Sequence, residues 1–327
     1  VGLTDALRGR EPQPGRGSIA EVPTLGEQQS MEVPPPRDLG LLAVAIVGVS
    51  ASGPLMAAAA APALAIAFWR NALGAGLTGL ASLRTWREFA TIERRTFGLA
   101  ALGGAFLALH FGTWVPSVKY TSVASATALV ATQAIFSAII AAGRGHRLPR
   151  VAWIGMVLAI VGTAFVAGAD FGVSTRALVG DGLAVAGGLF AAAYVSVGSV
   201  ARRTMSVVTY TTVCYGVCSA GLLMVCLVGG QPLGGYSPRA WVLIAGVTIC
   251  AQIFGHTLIN VVLRSASATF VGLAILLETP GAAIIAAIWL HQTPSAWAIP
   301  GLVLLLGGLV MTIRAKSAVE LVPADVD

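Results

Sequence analysis

Long apolar blocks alternate along this chain with short polar breaks that gather nearly all of its charge. From residue 39 to residue 313 the blocks run approximately 39–61, 62–83, 97–116, 121–143, 151–169, 178–200, 206–228, 240–262, 266–290 and 296–313. Each is close to the ~20 residues a helix needs to cross ~30 Å of hydrocarbon. No dyad alternation marks barrel strands, and lipid offers no partner to an unpaired backbone group, so the pattern predicts ten spanning α-helices. The connections leave no room for a separate soluble domain. Residues 1–38 are instead polar and rich in Pro and Gly, with no apolar core of a signal peptide, and predict a disordered tail. Translation is expected to start either at Val1 or at Met31, just before the first block. Residues 315–327 are expected to form a second tail.

Composition sharpens this reading. Of 327 residues 56% are hydrophobic and only 10% charged, with a mean hydropathy of +0.83, against roughly 25% charged in a soluble domain. The net charge of +6 does not indicate nucleic acid, because the basic residues sit in small clusters between apolar blocks. With a cytoplasmic N-terminus and ten spans, 16 Lys and Arg fall inside and three (Lys119, Arg176, Arg239) outside, Arg70 being intramembrane. That bias predicts both termini in the cytoplasm and supports the span count. Arginine outnumbers lysine 18 to 2, and the abundance of Ala, Gly and Val fits a GC-rich bacterial genome, hence a bacterial inner membrane. The cysteines (Cys214, Cys218, Cys226, Cys250) lie within apolar blocks without metal-ligand spacing and read as small fillers.

The chain also repeats itself. Residues 124–149 align with 269–294 at an offset of 145, pairing Ile139-Ile140-Ala141-Ala142 with Ile284-Ile285-Ala286-Ala287, His146 with His291, and Pro149 with Pro294. At an offset of 146, Gly155 and Gly162 match Gly301 and Gly308, and near the start of each half, at an offset of 141, Leu42–Ala45 matches Leu183–Ala186. Five spans per half is an odd number, so the halves have opposite membrane orientation. Residues 39–170 and 177–314 are thus expected to form two inverted five-helix repeats of an all-α polytopic membrane protein, with a substrate site near the midplane between them.

The run Gly180-Asp181-Gly-Leu-Ala-Val-Ala-Gly-Gly-Leu-Phe-Ala-Ala-Ala-Tyr194, followed by Arg202-Arg203, resembles the opening of an EamA domain. Leu277-Glu278-Thr279-Pro280, the turn His291-Gln-Thr-Pro294, and Gly301 with Gly307-Gly308 resemble its later part. Residues 40–313 are similar to two tandem EamA repeats of the drug/metabolite transporter superfamily. The resemblance implies ten helices, an inverted pseudo-two-fold, a central cavity, and transport of amino acids, other metabolites or drugs, often as export. Val47-Gly48 stands where the family commonly has Trp-Gly, and Leu290-His291 where it usually has Gly-Glu.

Glu278 is the only one of 14 acidic residues deep within an apolar block. A carboxylate at the bilayer centre costs roughly 2.5–3.5 kcal/mol on insertion scales, so such a group is functional by default. Pro280 frees the Leu276 carbonyl and favours a kink suited to a cavity wall, and burial would bring Glu278 within reach of physiological proton exchange. The alternative is a neutral, hydrogen-bonded structural carboxyl. Gln252, His256 and Asn260 at i, i+4 and i+8 predict one polar face, with Gln252 ~19 Å and Glu278 ~20 Å from the cytoplasmic turn. That stripe suits a cavity lining, or else interhelical bonding. His110 and Trp114 share a face in the third block, and Gln133 is the equivalent of Glu278. Ser50 and Ser52 beside Gly53-Pro54 fit an interrupted first helix, Tyr194 an aromatic wall, and Arg70 either an anion contact or a snorkelling side chain near the outer surface. Asp181 reads as helix-dipole chemistry and the repeated glycines as close packing.

No nucleotide-binding loop and no H-E-x-x-H occurs, and no nucleophile–base pattern accompanies the single intramembrane acid. No enzyme activity, cofactor or metal is therefore expected. The reading is a secondary transporter, an exporter by expectation, that moves a small-molecule metabolite such as an amino acid across membrane lipid by alternating access, coupled to protons at Glu278. Its rivals are an uncoupled facilitator and a non-transporting lipid-handling or assembly component.

Overall fold

The computed structural model describes residues 35–143, 149–169, 174–202, 204–262, 274–294, 296 and 298–320. They form ten helical units. α1 is in two pieces, Pro36–Ser50 and Ser52–Ala58; α2 is Ala63–Ser82, α3 Arg94–Tyr120, and α4 again two pieces, Val123–Val130 and Gln133–Gly143. α5 is Arg150–Ala169, α6 Thr175–Ala201 and α7 Val207–Val228. α8 runs Pro238–Val247, then through a π-helical stretch Thr248–Thr257 into Leu258–Val262; α9 is Glu278–Leu290 and α10 Ala298–Glu320. The expected tail before residue 35, the start of the ninth block, Arg264 and residues 321–327 lie outside the described residues.

Local chemistry sets the helix starts. Ser122, Ser174, Ser206 and Ser237 each accept a hydrogen bond from the backbone N–H three residues on, capping α4, α6, α7 and α8. Six runs are long and apolar enough to cross a bilayer: Pro36–Ala58, Arg94–Tyr120, Val123–Ile140, Thr175–Gly198, Val207–Val228 and Pro238–Thr257. Three more apolar helices, Arg150–Phe165, Glu278–Leu290 and Ala298–Thr312, are shorter. α2 has the length, but Arg70 and Asn71 lower its hydropathy. Large apolar side chains such as Val157, Val242, Ile288 and Val303 face outward, where lipid solvates them.

Several helices run past the apolar blocks that predict them. α1 starts at Pro36, inside the segment assigned to the tail, and α10 continues to Glu320 past the expected end near 313. Helical hydrogen bonding does not stop where the hydrocarbon does, so an apolar block marks the membrane and not the helix. α3 likewise carries Pro116 inside it, where the ring deletes one ladder bond without ending the helix.

Inter-half packing comes in symmetric pairs. α3 packs on α6 as α1 packs on α8, α4 on α6 as α9 on α1, and α3 on α7 as α8 on α2. α2 with α7, α4 with α9 and α5 with α10 meet across the pseudo-axis. The repeated glycines lie at the last of these contacts. A Cβ on Gly155 would come 2.6 Å from the Gly308 carbonyl oxygen, and one on Gly162 would come 2.6 Å from that of Gly301. Residue numbers rise along α5 as they fall along α10, so these counterpart helices are antiparallel, as inverted repeats require.

Each half also docks its second connection on the other. From the short helix Trp86–Thr91, Glu88 accepts bonds from Ser206 N–H and Thr209 Oγ1, both 2.6 Å, at the start of α7. At the opposite end Trp69 Nε1 of α2 donates to the Leu233 carbonyl in the α7–α8 connection at 2.9 Å, and Trp69 packs edge-on against Trp241.

Candidate functional site

α2 places Arg70 in the middle of the bundle. Its side chain is fully buried, which corrects the snorkelling alternative: α3, α7 and α8 pack on α2, and Ser52 and Met56 of α1 contact the guanidinium, so the stem has no path to the outer surface. Arg70 Nε donates to Gln252 Oε1 at 3.4 Å, and Nη1 reaches Ser52 Oγ at 3.5 Å and Met56 Sδ at 3.7 Å. The guanidinium carbon sits 4.2 Å from the centre of the Phe111 ring, a cation–π distance. Nη2 has no hydrogen-bond partner. Tyr215 and Cys218 of α7 and Glu278 of α9 lie within electrostatic reach.

Gln252 ties this cluster together. Its Nε2 donates to Asn71 Oδ1 at 3.4 Å, and Asn71 Nδ2 donates to the Ala67 carbonyl at 2.8 Å. Gly74 makes the approach possible, since a Cβ there would lie 2.6 Å from Gln252 Nε2.

The residues of the stripe expected on α8 differ in exposure. Gln252 is buried, whereas His256 is exposed. The segment around them is π-helical, and Thr257 Oγ1 donates to the Gln252 carbonyl five residues back at 3.0 Å; such stretches are frequent at functional sites. The backbone of Asn260 is helical, and its side chain lies outside the described residues.

His110 and Trp114 do share a face. Their rings stack with centroids 5.7 Å apart and planes at 13°, and Phe111 packs 4.7 Å from His110. His110 Nδ1 meets the Gly187 carbonyl at 2.9 Å, so this nitrogen carries its proton toward α6. Trp114 Nε1 is buried without a partner. His110 and His256, on the third helices of their halves, are within electrostatic reach of each other and of Arg70.

The remaining candidates divide. Glu278 is half-buried and is the first residue after a break at Leu276–Leu277. α4 breaks equivalently at Ala131–Thr132, which puts half-buried Gln133 first in its second piece, packed by Gly188 of α6. Ser50 and Ser52 are buried on either side of the α1 interruption at Ala51, and Gly281 of α9 packs on Ser50. Tyr194 stands apart, half-buried toward the other end of α6 with Tyr210 and Gly103. The sequence reading missed Asn71, Met56, Phe111, Tyr215 and Cys218. Asn71 was detectable as a second polar residue beside Arg70 in an apolar block; the others look like ordinary core.

The profile of the EamA-like transporter family matches residues 39–168 and 178–314. No curated protein sequence is significantly similar to this chain. Fourteen chains of solved structures are. One, a crystal structure of a protein, is 16% identical with a TM-score of 0.57, the match covering 84% of this chain and 96% of that one. At that identity the likeness is one of fold.

Proposed function

Because the chain belongs to the EamA-like transporter family, a family of multi-pass membrane transporters and not of enzymes, we propose that its two halves work as a secondary transporter by alternating access. It exports a small amphipathic metabolite such as an amino acid from a bacterial cytoplasm, with both termini inside and repeats over 39–170 and 177–314. The substrate site comprises Arg70, Gln252, His110, Trp114, Ser50 and Ser52, with His256 and Asn260 below them on α8 and Gln133, Glu278 and Tyr194 along the path. Glu278 is the proton-coupling group.

One observation carries this reading: a fully buried guanidinium whose neighbours come from both halves. A polar centre shared by two inverted repeats is where rocking of one against the other exchanges access. Glu278 supports coupling because it follows a helix break and lies within reach of that cation. Proteoliposomes with the purified protein test the scheme. Solute flux that responds to an imposed pH gradient is expected; flux indifferent to the gradient would indicate the facilitator, and no flux a non-transporting component.

A further inference from the structure

Resting on the transporter reading, we propose that Arg70 is an anion anchor and that the transported solutes carry a carboxylate, or an equivalent single negative group, on a small apolar or aromatic body.

Arginine keeps its charge at physiological pH, and a buried charge needs compensation. The partners of Arg70 do not supply it. All three are neutral, and all three contacts are long, at 3.4, 3.5 and 3.7 Å. Bonds from a guanidinium to an anion run ~2.7–2.9 Å. Nη2 is left with nothing. Among the described residues no carboxylate is bonded to Arg70; Glu278 acts on it only through space.

A second donor is spare in the same wall. Trp114 Nε1 is buried and unpartnered, on the α3 face that presents Phe111 to the guanidinium, the two rings being 6.4 Å apart. The two nearest amide oxygens already take one bond each, Gln252 Oε1 from Arg70 and Asn71 Oδ1 from Gln252. A site with two spare buried donors favours an acceptor-only group, which a carboxylate is and an amine is not. Phe111, Trp114, His110 and Met56 then leave an apolar, largely aromatic surround for the rest of the molecule. The aromatic face beneath the guanidinium also limits approach to its edge, the direction Nη2 offers.

The test uses the full-length purified protein and matched probes: phenylacetate against phenylacetamide, and phenylalanine against phenylalaninamide. Binding is read as the ligand-induced rise in melting temperature and, in proteoliposomes, as counterflow of the labelled probe. At least one acid is expected to bind about tenfold or more tightly than its amide, a preference of the size that separates charged from neutral hydrogen bonds. Arg70→Gln should abolish that preference and Arg70→Lys retain part of it, while Arg87→Gln on the exposed connection leaves it unchanged. The acid/amide comparison in the wild-type protein stands even if Arg70→Gln fails to fold. Binding of neither acid, equal binding of acid and amide, or an acid preference that survives Arg70→Gln overturns the assignment. Counterflow of an amide as readily as its acid would do so while leaving transport itself intact.

Discussion

α4 and α9 break at equivalent places, 131–132 and 276–277, yet the residue that opens the second piece is Gln133 in one half and Glu278 in the other. α2 and α7 differ in the same way: Arg70 and Tyr215, like Gln133 and Glu278, are 145 residues apart. The cation of the site thus comes from the first half and the acid from the second, while the neutral counterparts keep the breaks and the packing. Duplication accounts for the scaffold, and divergence at equivalent positions accounts for the chemistry. The docked connections follow the same rule, a carboxylate at the start of α7 and an indole on the opposite side.

Three substitutions break or sharpen that comparison. The largest effect is expected at the shared scaffold. A Cβ on Gly308 meets backbone atoms of Gly155 and Ala159, which cannot swing aside. Gly308→Val should destabilise the protein by about 3 kcal/mol or more, seen as loss of monodisperse material after detergent extraction; a normal melting temperature would contradict the α5–α10 contact.

An intermediate effect is expected where the halves differ in their docking. Partial burial alone would raise the Glu88 carboxyl, but the bonds from Ser206 and Thr209 outweigh it and hold the group below its ordinary value. A depressed carboxyl stabilises the folded state above its unfolded pKa and loses that contribution as pH falls through the folded value. Glu88→Gln should therefore cost about 1 kcal/mol near neutral pH. Melting curves of the two proteins should converge as the medium is made more acidic than that folded value. A constant gap would rule out the charge.

The smallest effect has the opposite sign. His291 ends α9 at φ 55°, in the left-handed region. His291→Gly should raise stability by about 0.5–1 kcal/mol, measured as a higher melting temperature; a decrease would mean that the imidazole makes a compensating contact.

Much of this architecture was legible in the sequence. Apolar block length reports the membrane directly, and Gly155, Gly162, Gly301 and Gly308 were readable as packing positions because a helix contact that excludes Cβ leaves a spaced pattern. Glu278 stood out because carboxyls in lipid are rare. Arg70 was harder: counting residues from a helix end gives depth but not whether neighbours block the way to the surface. The π-helical stretch Thr248–Thr257 was not legible, because nothing in its sequence announces it. The α4 break was invisible for want of a proline; there Thr132 Oγ1 bonds the Leu129 carbonyl at 2.6 Å beside the interruption.

The division of labour between the halves is tested most directly at Glu278. Glu278→Gln keeps shape and hydrogen-bonding capacity but removes the exchangeable proton, giving the second half the residue the first already has. Flux is to be measured in proteoliposomes with and without an imposed pH gradient, beside exchange of labelled for unlabelled solute across equal pH. The account predicts normal insertion, loss of gradient-driven transport and retained exchange, since exchange need not release the proton. Wild-type flux with unchanged pH dependence would contradict it and make Glu278 a structural residue.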